Sequence, residues 1–200
     1  MELPSKFFAM IFRMKNINRW ALVRNVSNEN ICEHSLSVAV ISHALAIIKN
    51  KRCGGSVDPS YAALVGLYHD ASEVLTGDLP TTVKYVNSEI CKEYKRIEAL
   101  ATKNLRSMLP EDMQLEYGAI LEPQDEEILR IVKGADKLSA LIKCIEEQKS
   151  ANSEFASFER NLLKELKQLN CPEIDIFLED FLPACRLSLG DKDFAEDLTI

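Results

Sequence analysis

Apolar residues recur along the chain at intervals of three and four, and the strict alternation that marks half-buried strands is nearly absent. This pattern predicts an all-α protein. A first helix is expected over about Ser5 to Lys15, with Phe7, Phe8, Ile11 and Met14 on one face, followed by a loop from Asn16 to Asn30. Asn30-Ile31-Cys32-Glu33 has the Asn-x-x-Glu form of a capping box and opens a long helix to about Asn50. After Gly54-Gly55, Asp58-Pro59 supplies an N-cap and a first-turn proline for a third helix that carries His69 and Asp70 near its end.

Thr76-Gly77-Asp78-Leu79-Pro80-Thr81 reads as a loop, with a short element near Thr82 to Val86. A helix from about Ser88 to Met108 is expected to bury Ile90, Tyr94, Ile97, Ala101, Leu105 and Met108. A shorter helix ends near Leu121, and another runs from Pro123–Asp125 to about Ser150 with Ile128, Val132, Ala135, Leu138, Ile142 and Ile145 as its stripe. Asp136 adjoins that stripe, an unusual place for a charge. Two amphipathic helices, about Ser153 to Leu169 and Pro172 to Leu187, precede a polar tail.

A length of 200 residues suits one domain with a sizeable core. The apolar stretch from Leu36 to Ile48 is shorter than the roughly 20 residues a membrane span needs, so no membrane partner is expected. No export signal is visible, and six scattered cysteines without a C-x-x-C pair read as reduced thiols in the cytoplasm. The net charge of -7, with no dense basic block, disfavours nucleic acid as a partner. It leaves room for a small anionic substrate, because a metal ion and one or two arginines reverse the field locally.

The chemistry centres on His69-Asp70, since an imidazole and a carboxylate can share one divalent cation that activates water. On a helix the two are about 100° apart, so a shared ion must sit at the helix edge or end. Further ligands must come from elsewhere, and His34 and Asp136 are the best candidates. The order is then His, His-Asp, Asp, with gaps of about 35 and about 66 residues. Alone, His34 is equally a capping or core histidine and Asp136 equally a solvated charge paired with Lys133 or Lys137. An interior Asp136 would cost several kcal/mol unless paired or metal-bound. Two imidazoles and two carboxylates suit Mn, Co, Fe, Zn or Mg with open positions for water and a phosphate oxygen. Only His43 is spare, which argues against a second histidine-built centre.

Glu73 lies one helical turn beyond the pair, where a carboxylate could orient or deprotonate a water or simply be solvated. Arg19 could clamp phosphate and Trp20 offer a flat wall, although a surface charge and a core anchor are the plainer readings. Asp78 could bind a sugar hydroxyl, protonate a leaving oxygen, or merely form a turn.

Ile17-Asn18-Arg19-Trp20, Glu33-His34-Ser35, His69-Asp70-Ala71-Ser72-Glu73, Gly77-Asp78-Leu79-Pro80-Thr81 and Ala135-Asp136 together resemble the motif series of the bacterial 5′-deoxynucleotidases, within the HD-domain phosphohydrolases. The resemblance implies a compact single HD domain of about eight to nine helices over residues 1–189, leaving 190–200 as a tail, and a homodimer. It implies hydrolysis of deoxyribonucleoside 5′-monophosphates with one divalent ion, cobalt, manganese or another transition metal. His34, His69, Asp70 and Asp136 would be its ligands. Glu73, Arg19 and Asp78 would be catalytic, and Arg19, Trp20, His34, Asp78, Leu79, Pro80 and Thr81 would bind substrate, with Lys84 a weaker neighbour. The Trp is expected to crowd the sugar 2′ position. Hydrolysis of nucleoside triphosphates or guanosine tetraphosphate, and a regulatory protein with a vestigial site, are the competing expectations.

Overall fold

The computed structural model describes residues 4–84, 86–188 and 191, with Thr81 and Thr82 placed by their backbones only, so nearly all of the expected tail lies outside it. Among the described residues the regular structure is helical: α1 (Phe7–Ile11), α2 (Ile31–Arg52), α3 (Pro59–Tyr68), α4 (Glu73–Thr76), α5 (Thr81–Lys84), α6 (Ser88–Ser107), α7 (Gln114–Leu121), α8 (Glu126–Lys149), α9 (Phe155–Gln168) and α10 (Pro172–Asp180). Among these residues the one β-type pairing is an isolated bridge between Asn18 and Asn30, which closes the loop before α2.

Helix starts follow local chemistry. Asn30 Oδ1 accepts from the Glu33 N–H at 3.1 Å while Glu33 Oε2 accepts from the Asn30 N–H at 3.2 Å, which completes the capping box. Asp58 caps α3 through the Ser60 and Tyr61 N–H groups, and Asp125 caps α8 through those of Glu127 and Ile128. These side chains satisfy donors that a helix leaves orphaned at its N-terminus.

Several boundaries depart from expectation. The first helix closes at Ile11 and tightens into a 3₁₀ turn over Phe12–Asn16. Helix α3 stops at Tyr68, so His69 and Asp70 lie just past its end, where the chain continues through three-residue turns (Ala71 N–H to Tyr68 O and Glu73 N–H to Asp70 O, each 3.0 Å). The last helix ends at Asp180, and Leu182–Arg186 forms a 3₁₀ turn around Pro183, which has no N–H to continue an α ladder.

The core has two parts. The larger gathers α2, α3, α8, α9 and α10 around residues such as Leu45, Val65, Leu138, Ile145 and Ile174. The smaller joins α1, α6 and α7 around Phe7, Leu105 and Leu109, with Phe7 set edge-on to Tyr117 at 5.0 Å. Val65 belongs to the larger part and Tyr68 and Ala71 to the smaller, so His69-Asp70 falls on the seam between them. Gly66 lets α2 and α3 approach, because a Cβ there would stand 2.9 Å from Ser42 Oγ and 3.1 Å from both Ala39 Cα and Val38 O.

Two expected stripes are corrected. On α6, Ala101 and Leu105 are buried but Ile90 and Ile97 are 41% and 47% exposed, since only the C-terminal half of that helix meets the small core. On α8, Ile142 is half-buried while Ile131 and Leu141 are buried, because α2 and α9 cover that helix on more than one side. Helix α2 is long and apolar enough to cross a bilayer, yet it supplies the centre of the larger core and buries His34, Ser35 and Ser42.

Candidate active site

The site takes one piece from each of three segments: His34 from the first turn of α2, His69 and Asp70 from the turn after α3, and Asp136 from α8. One ligand atom each from His34, His69 and Asp136 lies within 4.8 Å of the others. Asp70 joins them, with Oδ2 3.2 Å from His69 Nε2 and 3.7 Å from His34 Nε2, and Asp136 Oδ1 is 3.0 Å from His34 Nε2. All four predicted ligands therefore converge.

The donor set fits a divalent cation. Both Nε2 atoms are buried, and neither makes a hydrogen bond despite facing carboxylate oxygens at contact distance. His69 Nδ1–H donates to the Gly66 carbonyl at 2.8 Å, and a carbonyl can only accept, so neutral His69 turns an Nε2 lone pair towards the cluster. His34 Nδ1 faces Ser139 Oγ at 3.2 Å and also lies against Arg19 Nη1, which can only donate, so at that contact Nδ1 is the acceptor. The Asp136 side chain is 41% exposed, so convergence rather than burial supports ligation.

Charge is concentrated here. Burial alone would depress the His69 imidazole, but the Asp70 and Asp136 carboxylates outweigh it and raise it to about 9. Asp70 and Asp136 are held below the ordinary carboxylate range against their own burial, Asp70 mainly by His69 and Asp136 mainly by His34. Four such groups, with the sign of the field set by whichever protons are present, form an environment that a dication neutralises.

Glu73 is 3% exposed, and its carboxyl is pushed up to about 8, first by burial and then by Asp70, against the pull of Lys84. Lys84 Nζ donates to Glu73 Oε1 at 3.1 Å, which leaves Oε2 buried without a partner. The turn between α3 and α4, rather than one continuous helix face, sets its position relative to the pair. Asp78 follows Gly77, whose φ of +73° ends α4, and burial raises its carboxyl against the lowering effect of Arg19 and Lys84. Leu79 and Pro80 are half-buried on the same loop, which Pro80 turns into α5, and have no polar contact with the cluster among the described residues. The Thr81 side chain lies outside the described atoms. His43 is exposed on α2, away from the site.

Arg19 and Trp20 close another side. Arg19 Nη1 lies against His34 Nδ1 and Nη2 is 4.0 Å from Asp136 Oδ1. The half-buried Trp20 indole packs against Phe155 and Phe158, with ring centroids 5.1 and 5.5 Å away. Its φ of +60° is costly for a non-glycine residue, about 1–2 kcal/mol. Contacts from Val23 N–H and Asn25 Nδ2 to its carbonyl, at 3.0 and 3.3 Å, hold that conformation.

Sequence reasoning missed the residues that brace this loop. Glu29 Oε2 accepts from Arg19 Nη1 at 3.1 Å and from Trp20 Nε1 at 2.9 Å. Further along, Glu147 on α8 accepts from the Val26 and Ser27 N–H groups at 2.8 and 3.0 Å and from Asn152 Nδ2 at 2.8 Å. Lys143 donates to both Glu147 and the Ser27 carbonyl, and both charged side chains are buried. Ser139 was within reach of sequence reading, because it sits three residues after Asp136 and hence on the same helix face.

Residues 6–185 match the model of the family described as 5′-deoxynucleotidase YfbR-like. A 5′-deoxynucleotidase of Vibrio parahaemolyticus is 51% identical over 189 residues, covering 94% of this chain and 97% of that protein. One of Erwinia tasmaniensis is 49% identical over 191 residues, covering 94% and 96%. Among solved structures, an HD-domain phosphohydrolase from Listeria innocua aligns with a TM-score of 0.77 at 24% identity, covering 96% of this chain and 92% of that one. The cyanophage S-2L HD phosphohydrolase, solved with dA and one catalytic zinc ion, aligns with a TM-score of 0.65 at 18% identity, covering 89% and 95%. At these identities the structural matches establish a shared fold.

Proposed function

Because the chain belongs to the YfbR-like 5′-deoxynucleotidase family, with the fold of HD-domain phosphohydrolases, we propose that it hydrolyses deoxyribonucleoside 5′-monophosphates to the deoxyribonucleoside and orthophosphate. The observation that carries this reading is the convergence of His34, His69, Asp70 and Asp136 with two buried, unpartnered imidazole nitrogens. These four would hold one divalent ion, with manganese and cobalt the first candidates. Such an ion supplies an acidified water and neutralises charge growing on the phosphoryl oxygens.

The remaining steps belong to the chain. Glu73, with Oε1 tied to Lys84 and Oε2 free, is assigned to receive the proton of the attacking water. Arg19, beside His34, is assigned to hold the phosphate by its guanidinium edge. Asp78, whose carboxyl burial shifts towards the protonated form, is assigned to give a proton to the leaving 5′ oxygen. Trp20 is assigned to the sugar, where its indole would leave no space for a 2′ hydroxyl, and Leu79, Pro80 and Thr81 to the wall opposite.

A homodimer is proposed on Leu36, Val40 and Ile47, which α2 leaves exposed four and seven residues apart on one face. A reducing cytoplasm suits six cysteines that are all unpaired.

Purified protein loaded with manganese or cobalt should release orthophosphate from dAMP, and Asp70→Ala should abolish the release. Full activity in that variant at matched metal content would refute the ligand assignment. Tripolyphosphate from a triphosphate, or pyrophosphate from guanosine tetraphosphate, in place of orthophosphate would move the substrate to the competing class.

A further inference from the structure

Neighbouring side chains on extended backbone point to opposite faces, so Arg19 and Trp20 would ordinarily part company. They do not, because the φ of +60° at Trp20 turns the chain between them and brings the guanidinium and the indole N–H to one oxygen, Glu29 Oε2, at 3.1 and 2.9 Å. Glu29 is itself fixed by its backbone. Its carbonyl accepts from the Arg19 N–H at 2.9 Å, the Ile31 N–H donates to the Ile17 carbonyl at 3.0 Å, and the Asn18–Asn30 bridge lies between these contacts. The carboxylate is mostly buried, with 13% of its side chain exposed, and its other oxygen stands 3.8 Å from His34 Nδ1.

We infer that Glu29 is a positioning residue that sets sugar selectivity by holding Trp20 and Arg19 in register, an inference that rests on the nucleotidase reading above. A ring packed only against Phe155 and Phe158 has apolar contacts without direction, so it can rock or slide over those faces. The indole N–H bond to Glu29 removes that freedom, since a hydrogen bond to an ionised acceptor is short and directional. Excluding a hydroxyl demands a wall that does not yield, and the Glu29 carboxylate is what stiffens it. The same oxygen keeps Arg19 from swinging out to solvent, so phosphate and sugar contacts share one anchor.

Trp20 is the sole tryptophan, and the chain's indole emission therefore reports on this residue alone. Glu29→Ala should shift that emission to the red and raise its quenching by acrylamide. The ratio of kcat/KM for dAMP over AMP should fall by about tenfold, the loss expected when a charged hydrogen bond no longer fixes the ring. Glu29→Gln keeps a carbonyl acceptor of the same length, and should restore the emission and part of the selectivity while leaving the KM for dAMP raised through Arg19. Because the glutamine is near-isosteric, it also serves if the alanine variant does not fold. A folded variant with unchanged emission and unchanged dAMP/AMP ratio overturns the inference, as does an equal loss of activity on both nucleotides. Wild-type protein that releases phosphate from neither nucleotide refutes the nucleotidase reading, and the inference with it. Wild-type discrimination that survives intact in both variants refutes the inference alone.

Discussion

Replacing Glu147 by alanine should cost about 3–5 kcal/mol of folding stability, the range for stranding one member of a buried ion pair. The structure gives a second route to the size. Burial would raise the Glu147 carboxyl, but Lys143 and the N–H groups of Val26 and Ser27 draw it down from 4.5 to about 2. That depression corresponds to about 3 kcal/mol in favour of the folded state. Its sign fixes the pH window: the contribution is fully present above 4.5 and disappears as pH falls towards 2, so wild-type and variant should converge under acid. With a urea dependence of about 2 kcal/mol per molar, the midpoint should drop by about 1.5–2.5 M at pH 7. The double variant Lys143→Met, Glu147→Leu separates two causes. It removes the uncompensated lysine charge but still deprives the Val26 and Ser27 N–H groups and the Asn152 amide of their acceptor. It should therefore recover only part of the loss, with about 1–3 kcal/mol remaining. A midpoint shift below about 0.5 M for Glu147→Ala, or a double variant as stable as wild type, would refute the reasoning that this carboxylate clamps the loop.

Glu73→Gln keeps the shape and the Lys84 contact but removes the proton acceptor, and should lower kcat on dAMP by about 10²–10⁴ with bound metal unchanged by elemental analysis. Unchanged kcat would remove Glu73 from the chemistry. Gly66→Ala places a methyl group against the α2 backbone at Ala39 and Val38, where nothing flexible can give way, and should destabilise the fold by about 1–3 kcal/mol in a urea titration. A neutral result would mean that α2 and α3 slide past one another more easily than their packing implies.

The features legible in the sequence are those whose cause is local. Asn30 with Glu33, Asp58 with Pro59 and Asp125 announce helix starts, because cap and orphan donors lie within three residues. The four proposed ligands were legible because so few histidines exist to choose from and the resemblance gives their order. Glu29 was not, since its partners reach it only through the left-handed turn at Trp20, and no propensity of tryptophan signals such a turn. The exposure of Ile90 and Ile97 was also hidden: a 3.6-residue period marks an apolar face without saying what it meets. The burial of Asp136 was not legible from its place beside the α8 stripe, because a stripe edge is also where a helix turns to solvent, and its side chain is 41% exposed.

The seam at His69-Asp70 makes the site a clasp between the two cores. His34 and Asp136 stand on α2 and α8 of the larger core, while Tyr68 and Ala71, which flank the pair, pack into the smaller one. A ligand that binds only the folded chain stabilises it by mass action, so a cation held by all four side chains would add its binding free energy to the union of the two halves.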